Sequence, residues 1–179
     1  MKRIAGVLVS LLLFSGCATM TTARYSMSAD NQQVLKQFQG AAVELVTLAP
    51  PSNYDANCRM VGPIKAADGA PINEFVKKAF NDEFKFANIY STSGVKLHGE
   101  LTQTEFSSSS GLTNGWWKLA IKLTSSNGAT LEQSSHTDFK SGFGGLSACN
   151  NTAQALGGAV QDLIHATLTN PKFPELLKQ

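Results

Sequence analysis

The sequence predicts an α+β domain of two layers, with a mostly antiparallel sheet and two main helices packed on one face. Three observations point to this class. Residues 95–139 alternate between apolar and polar side chains, and Asn127-Gly128 supplies a strong hairpin signal between two of the runs. Residues 72–84 and 148–169 instead carry apolar side chains at helical spacing. We find no internal repeat, so a single domain is expected.

The first elements of the predicted domain, which we place at residues 30–179, are short. Asp30 is a candidate N-cap for a helix over residues 31–39. Residues 43–48 form a β-rich run that ends before a pair of prolines, as a strand would. Residues 58–64 are a second strand candidate, although a Gly-Pro pair interrupts it.

The two main helices are expected to cover the sheet with their apolar sides. A proline near its first turn starts the helix at residues 72–84, and its aromatic stripe indicates core packing. The final helix, residues 148–169, contains Gly157-Gly158, at a cost of about 1 kcal/mol per glycine relative to alanine. That cost predicts the close approach of another backbone, most simply the sheet.

The sheet is built mainly from the middle of the chain. Residues 88–90 are expected to form a short strand, and residues 107–115 a polar hairpin loop. The main strand candidates are residues 95–106, 116–125 and 130–139. The second of these has the clearest alternation.

The amino terminus has the pattern of a secretory signal. Lys2 and Arg3 precede a short apolar run that ends in Phe14-Ser15-Gly16-Cys17, too short and wrongly flanked for a spanning helix. The ending resembles the lipobox of bacterial lipoproteins, with Phe14 where leucine is usual. In that family the cysteine takes a diacylglyceryl group, the preceding peptide is cleaved, and the new amine is acylated, typically with palmitate. The resemblance implies that residues 1–16 are a signal peptide and that Cys17 is the lipidated residue.

The segment after Cys17 would connect the lipid to the domain. Residues 17–29 are rich in Thr, Ser and Ala and are expected to form a tether. Acyl chains on Cys17 would hold the protein stably at a membrane, because two or more chains are needed for firm anchoring. In lipoproteins of this kind an Asp after the cysteine is associated with retention at the inner membrane. Ala18 stands there, so the resemblance implies the periplasmic face of the outer membrane.

The charge balance argues against a polyanionic partner. The full chain has 15 cationic and 13 acidic side chains, and removal of Lys2 and Arg3 leaves 13 of each. A neutral mature chain lacks the basic surface that nucleic acid binding requires. We therefore expect no nucleic-acid partner.

The cysteines predict one disulfide bond. Cys17 would carry lipid, which leaves Cys58 and Cys149. In an oxidising compartment two remaining thiols usually pair, although two separately buried thiols are the alternative. A bond between them would stabilise the fold by about 4 kcal/mol in the chain-entropy model. It would also attach the last helix covalently to the sheet.

No catalytic or metal site emerges from the polar residues. His98, His136 and His165 lack ligand-like spacing to cysteines or carboxylates, so we expect neither a metal nor another cofactor. Glu100 and Glu105 share a strand, and five residues apart they should point to opposite faces, which is unsuitable for a paired-carboxylate hydrolase. We therefore predict that the chain is not an enzyme. A hydrolase would require distant polar residues to converge with shifted pKa values.

The candidate binding residues are Trp116 and Trp117. Adjacent strand residues point to opposite faces, so one tryptophan should enter the core and the other should face outward. An exposed tryptophan suits a protein interface or stacking on a sugar ring. The alternative is that Trp116 is covered by the 107–115 loop or by the amino-terminal segment.

Two longer stretches carry a family resemblance. The first begins at Cys58-Arg59-Met60-Val61-Gly62-Pro63-Ile64 and leads into the helix at residues 75–84. The second runs from Ser107–Ser110 through Asn114-Gly115-Trp116-Trp117 to the residues around Cys149. Over nearly the whole mature chain they resemble small proteobacterial lipoproteins of unassigned activity. The architecture is similar to that of YajG-type and LpoB-type outer-membrane lipoproteins and of the N-terminal domain of TolB. This likeness implies a non-catalytic periplasmic module that contacts another envelope protein.

Two functions from different classes remain open at this point. The first is an accessory lipoprotein of the outer membrane that docks a protein partner. The second is a binder of small ligands or glycans that uses Trp116 and the neighbouring loop. A deep apolar pocket beside Trp116 would favour the ligand, and a flat exposed face would favour the protein.

Overall fold

The computed structural model describes residues 20–179 as an α+β fold. The predicted signal peptide, the lipidation of Cys17 and the sorting role of Ala18 lie outside the described residues. None of the helices that the structure describes combines the length and apolarity that a membrane crossing requires.

The elements follow the predicted order with changed bounds. The helices are α1 (Ala29–Leu35), α2 (Ile72–Phe86), α3 (Gly145–Thr169) and α4 (Phe173–Leu176), with short 3-10 turns at Lys36–Phe38 and Ala67–Gly69. The strands are β1 (Val43–Ala49), β2 (Asn57–Cys58), β3 (Gly62–Pro63), β4 (Val95–Ser110), β5 (Asn114–Ser125) and β6 (Thr130–Lys140).

The main sheet has the strand order β1-β4-β5-β6. Strands β4, β5 and β6 form an antiparallel meander, whereas β1 pairs in parallel with β4. Helix α2 supplies the crossover that a parallel pair requires. Helix α2 packs against β1, and α3 packs across β4, β5 and β6. Within residues 20–179, one sheet face is therefore covered by helices and the other is open.

The core lies between the covered face and the helices. Its largest fully buried side chains include Trp117 and Phe80, Phe84 and Phe173. Alternation along β5 produces this burial, since every second residue from Trp117 to Leu123 is buried. The aromatic stripe predicted for residues 72–84 is core packing, as expected.

Two predicted strands are much smaller than expected. The 58–64 segment belongs to a separate hairpin of two two-residue strands, where Cys58 pairs with Gly62. Arg59 has a φ of 52°, in the left-handed region, so the chain turns there instead of extending. The 88–90 segment forms only an isolated bridge between Tyr90 and Val43.

The amino-terminal part of the domain also starts earlier than predicted. The cap of α1 is Ser28, whose hydroxyl accepts from the Asn31 amide, so Asp30 lies in the first turn. Residues 20–28, most of the expected tether, lie against the domain, and we call them the N-terminal strap. Thr21 bridges to Lys65, and Thr22 is buried. The part of the tether that the structure describes is therefore packed, because its hydroxyls and backbone find partners that composition cannot reveal.

The predicted disulfide between Cys58 and Cys149 is confirmed. The two Cα atoms lie 5.8 Å apart, and the bond closes a separation of 91 residues. Cys58 ends β2 and Cys149 lies in the first turns of α3. The bond therefore fastens the small hairpin to α3, rather than joining that helix to the main sheet.

The prediction that another backbone approaches Gly157-Gly158 closely is wrong. Among residues 20–179, a Cβ atom built at either glycine meets nothing within 4 Å outside its own helix turn. Helix α3 approaches the sheet with other residues, including Leu156, Ala159 and Val160, all of which are buried. No close backbone contact therefore requires these glycines.

Replacing both glycines with alanine should raise the free energy of unfolding by about 1–2 kcal/mol, since helix propensity improves without a clash. Denaturant unfolding of Gly157→Ala/Gly158→Ala against the parent chain measures this gain. Gly94→Ala is the control and should lower the free energy of unfolding, because its Cβ would lie 2.0 Å from the Ala42 carbonyl oxygen. A destabilised double variant would contradict the open space around α3.

Candidate functional site

Strand β5 sends its two tryptophans to opposite faces of the sheet. Trp117 is fully buried, its Nε1 donates to the Thr152 carbonyl at 2.9 Å, and its ring packs on Phe106 with centroids 4.8 Å apart. A side chain held this way cannot contact a partner. Of the two candidate binding residues, only Trp116 is accessible.

Trp116 lies on the open face of the sheet and is half-buried. Its ring stacks on His136 with centroids 5.7 Å apart and planes 29° apart. The Lys118 ammonium lies 4.9 Å from the ring centroid, in cation–π geometry. These neighbours pack on the indole ring and leave part of it exposed on this face.

Neither the 107–115 segment as a loop nor the described part of the amino-terminal segment covers Trp116. Most of the expected 107–115 loop belongs to β4 and β5, with only a short turn between them. The N-terminal strap lies on the opposite side of the molecule, where Thr22 contacts Ala153 of α3. Partial burial of Trp116 comes from Lys118 and His136 beside it on the same face.

Pairing across β4, β5 and β6 arranges charges of both signs around Trp116. Lys118 lies opposite Glu105 on one side and His136 on the other. His136 Nε2 is 3.2 Å from an Asp138 carboxylate oxygen. Further along the strand, Lys122 lies between Glu100 and Glu132. We call the outward residues of these strands the open face: Glu100, Glu105, Trp116, Lys118, Lys122, Glu132, His136 and Asp138.

The Lys122–Glu132 pair illustrates the exposure of this face. The two groups are 2.9 Å apart, and the carboxylate raises the pKa of the lysine through a hydrogen bond and its charge. Such exposed pairs contribute little to folding, because water and salt screen them. Their charges remain available to a partner.

The prediction that Glu100 and Glu105 point to opposite faces is wrong. A bulge between Leu101 and Gln103 inserts one extra residue in β4 and reverses the alternation beyond it. Both glutamates are therefore exposed on the open face, opposite lysines four residues apart on β5. Four strand residues span about 13 Å, which exceeds the carboxylate spacing of glycoside hydrolases.

The three histidines occupy separate positions. His98 Nδ1 lies 2.9 Å from the Thr47 hydroxyl, His136 stacks on Trp116, and His165 Nδ1 lies 3.2 Å from Asn31. Within residues 20–179, no three His, Cys, Asp or Glu side chains converge as metal ligands.

Two clefts lie side by side near Ala70, away from the open face. The first, about 550 Å³, runs between Pro51, Tyr54 and the start of α2. Burial, with a smaller contribution from Asp55, raises the pKa of Tyr54 to about 12. The second, about 570 Å³, contains ion pairs at its surface, including Arg24 with Asp68. Trp116 lines neither cleft.

A buried carboxylate joins the N-terminal strap to the domain. Glu83 of α2 is fully buried and accepts from the Tyr25 hydroxyl at 2.6 Å and the Ser28 amide at 2.9 Å. The Asn31 and Gln32 side-chain amides also donate to it. Burial and the Glu83 hydrogen bond raise the pKa of Tyr25, which keeps its donating proton in place. This cluster fixes the strap, a feature the sequence analysis missed because its members are separated by over 50 residues.

Comparison with protein-family models gives no match to this chain, and comparison with curated proteins gives none.

Proposed function

We propose that this chain is a lipoprotein anchored at the periplasmic face of the outer membrane, where it acts as a non-catalytic docking module for another envelope protein. In this proposal Cys17 carries the lipid and the open face around Trp116 contacts the partner. The resemblance to small proteobacterial lipoproteins belongs to the same proposal.

The observation that supports docking is that Trp116 is partly exposed on the open face and held there by its neighbours. Tryptophan is enriched among the residues that dominate protein interfaces, and a ring already held by Lys118 and His136 loses little side-chain freedom on binding. The mixed charges on either side can orient a partner and select against a wrong one. A partner with an apolar pocket between acidic and basic side chains would fit this face.

The second candidate function is binding of a glycan. Trp116 with the polar groups of Lys118, His136 and Asp138 offers a ring for stacking and several hydrogen-bonding groups. The clefts near Ala70 do not extend to this ring, and the cleft of about 430 Å³ beside it, lined by Asn114, Asp138 and Lys140, is shallow and open to solvent. That setting suits a broad protein contact better than a small ligand.

The docking proposal is tested by photo-crosslinking in cells from a photoreactive residue at position 116. We expect one recurrent protein adduct, because the partner would lie directly over this position. Position 124 is the matched control, since Thr124 lies on the same strand and face about 26 Å away. A second control is Cys17→Ser, which should remove the adduct by detaching the domain from the membrane.

The result that would contradict docking is equally specific. If position 116 gives no protein adduct and Trp116 fluorescence responds to glycan fragments, the glycan function replaces the docking function. Buried Trp117 contributes a constant background in that experiment, and Trp116→Phe identifies the responding ring.

A further inference from the structure

Five large apolar side chains are exposed together at one end of the domain. They extend from three neighbouring segments: the turn between β2 and β3, the turn between β4 and β5, and the start of α3 with the loop before it. Met60 is fully exposed, Phe143 is 80% exposed and Leu112 is 76% exposed. We call this set the apolar end: Met60, Val61, Leu112, Phe143 and Leu146.

Hydrogen bonds and packing hold these segments side by side. Arg59, next to Met60, donates from its guanidinium to the hydroxyl and the carbonyl of Ser108 near the end of β4. The Ser141 hydroxyl, just before the Phe143 loop, donates to the same carbonyl at 2.5 Å. Val61 lies against Gly145 at the start of α3. The Cys58–Cys149 bond fixes the hairpin to this helix, so the apolar side chains project from one rigid base.

The N-terminal strap leads toward the same end. Thr22 donates to the Ala153 carbonyl, and further along Gln161 donates to the Ser26 carbonyl, so the strap runs in the same direction as α3. Followed backward, it heads toward the amino end of α3. Met20 already contacts Gly62 of the small hairpin.

The predicted lipid attachment point is close to this position in the chain. Met20 is the third residue after Cys17, and three peptide units span about 11 Å at most. The lipid would therefore enter the bilayer within that distance of Met20. A domain held so closely must present the end nearest its anchor to the membrane surface.

We propose that the apolar end lies in the boundary between lipid headgroups and acyl chains, beside the lipid on Cys17. This inference rests on the lipidation in the proposed function. Exposed apolar side chains gain free energy when they leave water, and interfacial segments insert by about 5–10 Å. Three protruding turns suit such shallow insertion. Contact with the bilayer would set the long strands upright and keep the open face accessible from the side.

The test is hydroxyl-radical footprinting of the full lipidated chain on vesicles of phosphatidylethanolamine with a minority of phosphatidylglycerol. The reference is the Cys17→Ser chain, exported with a cleavable signal and kept in solution. We expect oxidation of Met60 and Phe143 to slow severalfold on the vesicles. Exposed Phe86 and Met27 serve as matched controls of the same residue types and should keep their rates, since α2 ends at the opposite end of the sheet.

Each alternative outcome overturns the inference in a distinguishable way. If the lipidated protein floats with the vesicles but Met60 and Phe143 oxidise at the reference rate, the anchor stands and the membrane contact is wrong. If Cys17 carries no lipid and the protein does not float, the proposed function fails as well. If the Cys17→Ser chain is already protected and has the mass of a dimer, the apolar end contacts a second copy.

Discussion

The paired replacement Cys58→Ala/Cys149→Ala is expected to lower the free energy of unfolding by about 4 kcal/mol. The bond closes a separation of 91 residues, so its loss frees a large amount of conformational entropy in the unfolded chain. Alanine suits both sites because both cysteines are buried. Denaturant unfolding measures the change, and the melting temperature should fall by roughly 10 °C.

The control for this prediction is reduction of the parent chain. A thiol reductant should destabilise the parent protein as much as the double alanine replacement does, and it should leave the variant unchanged. Equal unfolding free energies for parent and variant would show that the bond adds nothing to the fold. A loss of the bond should first loosen the β2–β3 hairpin, because its own two residue pairs are too few for independent stability.

Glu83→Ala is expected to cost about 3 kcal/mol of folding free energy and to release the N-terminal strap. The substitution removes the acceptor for Tyr25, Ser28, Asn31 and Gln32, and hydrogen bonds to a buried charged group are among the stronger ones. Denaturant unfolding measures the cost. Trypsin cleavage after exposed Arg24 measures release, and we expect it to accelerate.

Two variants on the same helix separate this effect from a general loss of charge. Glu83→Gln keeps one acceptor oxygen and should cost about 1 kcal/mol, since part of the cluster survives. Glu74→Ala removes an exposed carboxylate paired with Lys77 at 2.6 Å and should cost less than about 0.5 kcal/mol. If Glu83→Ala behaves like Glu74→Ala, the cluster does not hold the strap.

The disulfide and the Glu83 cluster both affect the orientation of the domain in the proposed function. The disulfide supports the base from which Met60 and Phe143 project, while Glu83 fixes the strap that leads back toward Cys17. In the proposed arrangement they set the short distance between the lipid and the apolar end. A chain with a released strap would have a longer effective tether and a less defined orientation at the membrane.

The sequence by itself determined the fold class, the main helices and the three long strands. These features rest on local periodicity, which needs no knowledge of distant residues. It also identified the disulfide partners, because two thiols remained once Cys17 was assigned to lipid. The alternation of β5 was sufficient to separate the core tryptophan from the outward one, because Trp117 shares its register with apolar residues and Trp116 shares its register with lysines.

Only the tertiary structure decided how the elements meet. Three features depend on contacts between residues far apart in the chain. They are the parallel pairing of β1 with β4, the β4 bulge that brings Glu100 and Glu105 to one face, and the packing of the strap against α3. The Glu83 cluster and the apolar end are of the same kind. Each gathers residues from several segments, and a one-residue bulge or a buried acceptor leaves no periodic signal in the sequence.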